Sequence, residues 1–310
     1  MSGDKYKVDN YKIIAKNFYK DRLIHKALSF YKKAYNCLGG KEDIELLLDI
    51  ALIYDEMEEY ELAKQKYKEI LNLNPKDERA YYGLAIIYDN KKQYEQAIKY
   101  YKEAIRLNSE YNRAYFFLAG AYDETGEKAE AIECYKKVLS MNDKDFWAFT
   151  NLSAIYEELG QYELALQMLE HSLELDRNHY LALFNKGVVL GGLGRTEESI
   201  DFYKLSISEN SNYPYSYLNL SVIYKEREEY ETAIKIISAG IYNNPETGFL
   251  YYNRACCYVH INKLKECIRD LYESVSLYPK FVIYIKEDEE LNPVKEMIEY
   301  KKLIEDKARF

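Results

Sequence analysis

The chain has 310 residues, 48% of them hydrophobic and 31% charged, and a net charge of −9 with both signs mixed along its length. That is enough apolar material for a core, which excludes disorder, and no lysine- or arginine-rich block is present to hold a phosphate backbone, which excludes nucleic acid as the main partner. The start, MSGDKYKVDN, has no apolar stretch, and nowhere is there a run of about 18 apolar residues, so neither a signal peptide nor a membrane span is read and the cytosol is the default location.

Five cysteines (37, 134, 256, 257 and 267) show no CxxC spacing, and the four histidines have no metal-ligand spacing. Reduced, buried thiols and no bound metal or cofactor are the expectation. Only five prolines and thirteen glycines punctuate the chain, which favours long helices.

Compared with itself at a 34-residue step, the chain divides into repeated units. The first, 8–41, sets the register with Ala15 at position 8, Phe18 at 11, Ala27 at 20 and Tyr31 at 24, and is followed by an insertion near Gly39 and Gly40. The second, 44–77, repeats it with Ala51, Tyr54, Ala63 and Tyr67, and Pro75 at position 32 stops a helix. The third, 78–111, has Ala85, Tyr88, Ala97 and Tyr101. The fourth, 112–145, has Ala119, Tyr122, Ala131 and Tyr135, with Gly126 at position 15, where a turn would join two helices. In the fifth, 146–179, and sixth, 180–213, Gly160 and Gly194 hold that turn position while Leu169 and Leu190 replace tyrosines. Pro214 opens the seventh, 214–247, where a first-turn proline is tolerated. The eighth, 248–281, ends at a seam marked by Pro279.

At about 100° per residue, positions 4, 7, 8 and 11 share a helical face. Small residues at 8 and 20 let two helices approach, and aromatics at 11 and 24 fill the space around them. One such hairpin cannot cover its own apolar face, so each stacks on the next. The tyrosine ladder is therefore read first as core. In residues 282–310, Asn292 is expected to N-cap a terminal helix with Pro293 in its first turn. Val294, Met297, Ile298 and Ile304 would face the last hairpin, and Lys295, Glu296, Glu299, Lys302 and Glu305 would face water.

The unit AYYGLAIIYDNKKQYEQAIKYYKEAIRLN (80–108) resembles the tetratricopeptide repeat. The resemblance covers 8–281 and implies an all-α fold: a right-handed superhelical solenoid of eight antiparallel helix-turn-helix hairpins plus a C-terminal capping helix. YPKFVIYIKEDEELNPVKEM (278–297) is similar to the ending of many bacterial arrays of this family and is expected to mark the end of the array, with no catalytic domain missing.

In this family the concave surface, lined by positions 2, 5, 6, 9, 12 and 13 of each first helix, is the usual place for a peptide. Position 6 is asparagine in four consecutive units, Asn151, Asn185, Asn219 and Asn253. An amide both donates and accepts, so such a row suits an extended backbone, and it resembles the asparagine ladder of the O-linked N-acetylglucosamine transferases. Position 12 is acidic in Asp55, Asp89, Asp123 and Glu157, which would draw basic segments. Tyr82, Phe116, Trp147, Phe184, Tyr215, Phe249 and Tyr252 lie on the same face as candidate anchors. Lys186 and Arg254 stand at position 7 beside two of the asparagines, as candidates for an acidic group or a C-terminal carboxylate. Lys12 and Lys16 suggest the family's chaperone-tail clamp, but Asp49 follows where that clamp needs asparagine.

No phosphate loop, nucleophile elbow or HExxH pair occurs. The resulting reading is a non-catalytic adaptor or scaffold that takes a protein or peptide, with a basic segment among the possibilities, in its groove. The alternative is a structural protein that self-associates into homo-oligomers through the ends or convex face of the solenoid.

Overall fold

The computed structural model describes the backbone of residues 2–307 and the side chains of residues 5–305. Every regular element among them is helical, and the chain forms two compact units, residues up to Ala148 and residues from Phe149 onward. In the first unit α1 (Ser2–Lys20) pairs with α2 (Ile24–Tyr35), α3 (Ile44–Glu56) with α4 (Tyr60–Leu73), α5 (Glu78–Asn90) with α6 (Tyr94–Leu107), and α7 (Asn112–Glu124) with α8 (Lys128–Met141). α1 starts six residues before the expected unit boundary at residue 8, and Gly40–Glu42 forms a 3-10 turn at the insertion. The second unit takes up α9 (Phe146–Glu158) at Phe149 and continues through α10 (Tyr162–Leu175), α11 (Tyr180–Gly192), α12 (Thr196–Glu209), α13 (Pro214–Glu226), α14 (Tyr230–Asn243), α15 (Gly248–His260) and α16 (Leu264–Leu277). Within each unit the antiparallel pairs stack on one another, second helix against the next first helix.

One backbone device closes every hairpin. Position 15 is left-handed throughout: Gly126, Gly160 and Gly194 at φ 81, 69 and 73°, but also Arg22, Glu58, Lys92, Glu228 and Asn262 at φ 55–61°. The next amide then reaches back to the carbonyl of position 11, as Glu59 N–H does to Tyr54 at 2.8 Å and Arg195 N–H to Leu190 at 2.9 Å. This satisfies carbonyls that the helix end would otherwise leave open. The loops between hairpins repeat as well. Asn74, Asn108, Asn142, Asp176 and Asn210 each accept from the amide two residues on. Asp43 and Asp77 cap α3 and α5 by accepting from their first-turn amides.

The alanines of positions 8 and 20 are fully buried, and Tyr67 and Tyr101 of position 24 are among the largest fully buried side chains. The two columns depend on each other. A phenol ring lies flat only where the facing residue is small, and burial of each ring contributes about 2–3 kcal/mol. The tightest approach of a ring to a glycine is at Gly83, at position 6, where a Cβ would meet Tyr67 Cζ at 2.1 Å.

The terminal segment ends in a helix, as expected, and carries shorter elements before it. It folds as α17 (Phe281–Glu287), a 3-10 turn (Glu289–Leu291), α18 (Asn292–Lys295) and α19 (Ile298–Lys307). Asn292 already has helical φ and ψ and does not cap; Asp288 accepts from Glu290 N–H at 2.8 Å and caps the 3-10 turn instead. Val294 is buried as expected and Met297 and Ile304 partly so, but Ile298 is 68% exposed, because Tyr300 and Leu303 take the inward places of α19 beside Leu271, Val275 and Ile285.

Candidate functional site

In the first unit, the first-helix residues at positions 2, 5, 6, 9 and 12 come together. Leu48, Asp49, Leu52 and Asp55 of α3 and Tyr82, Gly83 and Ile86 of α5 line an open pocket of about 460 Å³, with Tyr67 and Tyr111 completing its wall. Tyr82 is half-buried, 5.0 Å from the Tyr111 ring and 6.0 Å from Tyr101. The absence of a side chain at Gly83 is what allows the Tyr67 ring into this wall. Glu45 and Arg79 also line the pocket and are joined at 2.7 Å, while Arg79 is held as well by the buried Asp77 at 2.8 Å. Arg113 of α7 stands at the pocket one hairpin further along.

The carboxylates here are desolvated. Burial pushes Asp55 up to about 6 from an ordinary 3.8. Asp55 also ends α3, where the helix dipole disfavours negative charge. Burial raises Asp49 as well, against the opposing pull of Lys16. The next two acids of the series are answered from within. Asp89, raised by burial, accepts from the Tyr101 hydroxyl at 2.9 Å, and Asp123 pairs with Lys128 at 2.6 Å. Lys12 and Lys16, the positions of the family's chaperone-tail clamp, approach Asp43 at 2.6 Å and Asp49 at 3.8 Å. Phe116 lies edge-on to Phe117 at 5.4 Å and to Tyr135 at 5.6 Å, and Trp147 is 47% exposed, edge-on to Phe146 at 5.1 Å.

The second unit repeats the arrangement on a smaller scale. Ala154 and Glu157 of α9 and Phe184, Asn185 and Val188 of α11 line a pocket of about 180 Å³. Burial, then the neighbouring Glu158, raises Glu157. Asn151 is half-buried on α9, and Asn219 donates to the Tyr203 hydroxyl at 3.3 Å. Tyr215, 48% exposed, stacks on Phe249 at 5.2 Å.

Beyond α13 this face is covered by the chain itself. Tyr252 stacks on Phe281 at 5.7 Å and donates to Asp288. Lys225 reaches Glu290 at 2.7 Å, and His260 also bonds Glu290 while stacking on Tyr230. Asn253 donates to its own helix at Phe249 O, 2.8 Å away. Tyr252 and Asn253 are therefore engaged internally, because the acidic turn 288–290 crosses the positions where a guest would lie. Cys256, Asp288 and Glu290 come within 4.8 Å of one another, but the ammonium of Lys225 on Glu290 and the burial that raises the Cys256 thiol both oppose a metal cation there.

The two position-7 cations point away from this face. Arg254 forms a two-pronged pair with Asp270 at 2.6 and 2.9 Å and donates to Ser238 at 2.9 Å. Asp270 is 1% exposed, and both partners stand on second helices. Lys186 lies over the Phe202 ring at 4.9 Å and 3.8 Å from Glu170, also on second helices. Position 7 shares the helix face of 8 and 11, so its long side chains run into the hairpin core rather than toward the pocket, which corrects the expectation that they bind an acidic group.

Models of the tetratricopeptide repeat match residues 44–77, 78–111, 113–145, 134–167, 155–217, 214–247 and 250–281. The chain belongs to the tetratricopeptide repeat family. The matches span α3 to α16, and the α1–α2 pair precedes them. No curated protein sequence matches the chain significantly. Among solved structures, a tetratricopeptide repeat protein from Parabacteroides merdae aligns at a TM-score of 0.64 with 18% identity over 86% of this chain and 98% of its own. PilF of Pseudomonas aeruginosa aligns at 0.55 with 19% identity, covering 75% and 97%. YrrB, described as a TPR protein with an unusual peptide-binding site, aligns at 0.53 with 22% identity, covering 60% and 95%. These likenesses show the fold. Because 450 solved chains match significantly, the fold by itself selects no partner.

Proposed function

We propose that the chain is a non-catalytic peptide- or protein-binding adaptor, and that its guest lies along the first-helix face of the hairpins. The supporting observation is the pocket of α3 and α5, where Leu48, Leu52, Tyr82 and Ile86 present apolar surface next to desolvated carboxylates. Leu52 is 54% exposed at this pocket. Open, mostly apolar pockets with a few placed polar groups are how folded proteins hold small portions of a partner. The peptide-binding site described for YrrB agrees with this use of the fold.

The test is selection followed by blocking. A phage-displayed dodecapeptide library is panned on the full chain, and selected peptides are titrated by fluorescence anisotropy against the wild type, Leu52→Trp and Asn185→Ala. Leu52→Trp fills the first pocket from an exposed position without altering charge. Peptides that bind the wild type and lose affinity for at least one variant support the groove; peptides that bind all three alike reject it.

A further inference from the structure

We propose that the pocket of α3 and α5 receives a basic side chain, a lysine or arginine of an extended partner peptide, with Asp55 and Asp49 as the groups that hold its charge. This rests on the groove reading above and adds the chemistry of the guest.

The basis is a contrast within the molecule. Where this fold buries an acid for its own stability, it supplies the cation: Asp77, 3% exposed, has Arg79, and Asp270, 1% exposed, has Arg254. Asp55 is treated differently. One of its carboxylate oxygens, Oδ1, is sealed from solvent without a hydrogen-bond partner, and the same holds for Oδ2 of Asp49. Asp49 is partly answered from within, by Lys16 at 3.8 Å, by the Tyr31 hydroxyl and by the charge of Lys12, so Asp55 is the principal group. Among the described residues no side chain forms a hydrogen bond or ion pair with Asp55, and burial alone raises it. A half-buried carboxylate with one oxygen sealed and no counter-charge is unfavourable, and where it opens on a cavity it is complementary to a cation from outside.

The rest of the pocket fits that guest. Glu45 and Arg79 neutralise each other, so Asp49 and Asp55 remain against the single cation of Arg113 on α7, and the pocket keeps a net negative charge. Leu48, Leu52 and Ile86 offer aliphatic surface for the methylenes of a long stem. The rings of Tyr67 and Tyr82 stand in the same wall, and aromatic faces attract ammonium and guanidinium groups. Asp89 and Asp123, next in the acidic series, already have Tyr101 and Lys128, which localises the site within the first unit to the α3 end.

The experiment uses peptides that bind the wild-type chain and are lost on Leu52→Trp. Each is remade with its lysine or arginine changed to norleucine, and both forms are titrated against the wild type, Asp55→Asn and Asp49→Asn, with circular dichroism to confirm folding. The expected result is a shared basic residue whose change to norleucine weakens wild-type binding about tenfold or more, the scale of a charge-assisted hydrogen bond, and weakens Asp55→Asn binding far less. Groove-dependent peptides without a basic residue, or an equal loss on wild type and Asp55→Asn, overturn the basic guest while leaving the groove intact. Absence of any peptide sensitive to Leu52→Trp overturns the basic guest, and absence of any sensitive to Asn185→Ala as well overturns the groove. Competition by magnesium ion against both the basic and norleucine peptides would reassign the two carboxylates to a metal.

Discussion

Asp55→Asn is expected to make the protein more stable, and only above a certain pH. In the folded chain the carboxyl is pushed up to about 6, against 3.8 when unperturbed. Between those values the folded state keeps a proton that the unfolded state has released, so this group lowers stability as pH rises from about 4 to about 7. A shift of roughly two pH units corresponds to about 3 kcal/mol as an upper limit, and partial contact of the side chain with solvent reduces this to about 1–3 kcal/mol. The asparagine has the same shape, and its neutral amide in the same place is far less penalised than a carboxylate. Repeat arrays open locally rather than all at once, so the assay is hydrogen exchange of the α3 and α4 amides, supported by urea unfolding, at pH 4 and pH 8. The variant should match the wild type at pH 4 and exceed it by about 1–3 kcal/mol at pH 8. Equal protection at both values, or a difference that grows toward low pH, would refute the assignment of Asp55 as a buried, uncompensated acid.

Arg254→Leu strands Asp270 in the core and should destabilise the second unit by about 3–5 kcal/mol in urea unfolding, with Asp270→Leu added on top restoring much of it. Glu228→Gly relieves a left-handed residue at φ 61°; the strain relieved exceeds the entropy that glycine adds to the unfolded chain, for a net gain of about 0.5–1 kcal/mol in the same assay. Gly83→Ala sets a Cβ 2.1 Å from the Tyr67 ring and should destabilise by about 1–3 kcal/mol, with Tyr67→Leu in the same chain relieving the clash. Glu290 is desolvated, but hydrogen bonds from Lys225 and His260 outweigh this and hold it below the usual carboxylate range. The terminal segment should therefore loosen as pH falls through and below about 4.5, seen as exchange in α17 and α19, and Glu290→Gln should remove that dependence.

The hairpins were legible because their determinants are local and repeated. The small residues of positions 8 and 20 and the aromatics of 11 and 24 recur at fixed spacing, and the face holding positions 5, 6, 9 and 12 follows from helical geometry alone. Gly126, Gly160 and Gly194 announced their turns. Arg22, Glu58, Lys92 and Glu228 did not, because these residue types carry no signal for a left-handed backbone and adopt it only under the constraint of two packed helices. Arg254 and Lys186 were misread for a related reason. Their neighbours in sequence are groove asparagines, but the partners that fix their direction, Asp270 and Glu170, lie on other helices. The self-covered end of the second unit was hidden similarly, since nothing in KEDEELN states that Asp288 and Glu290 meet Tyr252, Lys225 and His260. Asp55 appeared in the sequence only as one acid in a row of four; its distinction is the missing counter-charge, a tertiary property.

The most direct test of the account is hydrogen exchange of the full chain with and without a peptide selected on it. Binding along the first-helix face predicts slowed exchange in α3 and α5, or in α9 and α11, with α4, α6, α10 and α12 little changed on their outward surfaces. Protection concentrated on the second helices, or at the outer hairpins alone, would contradict it.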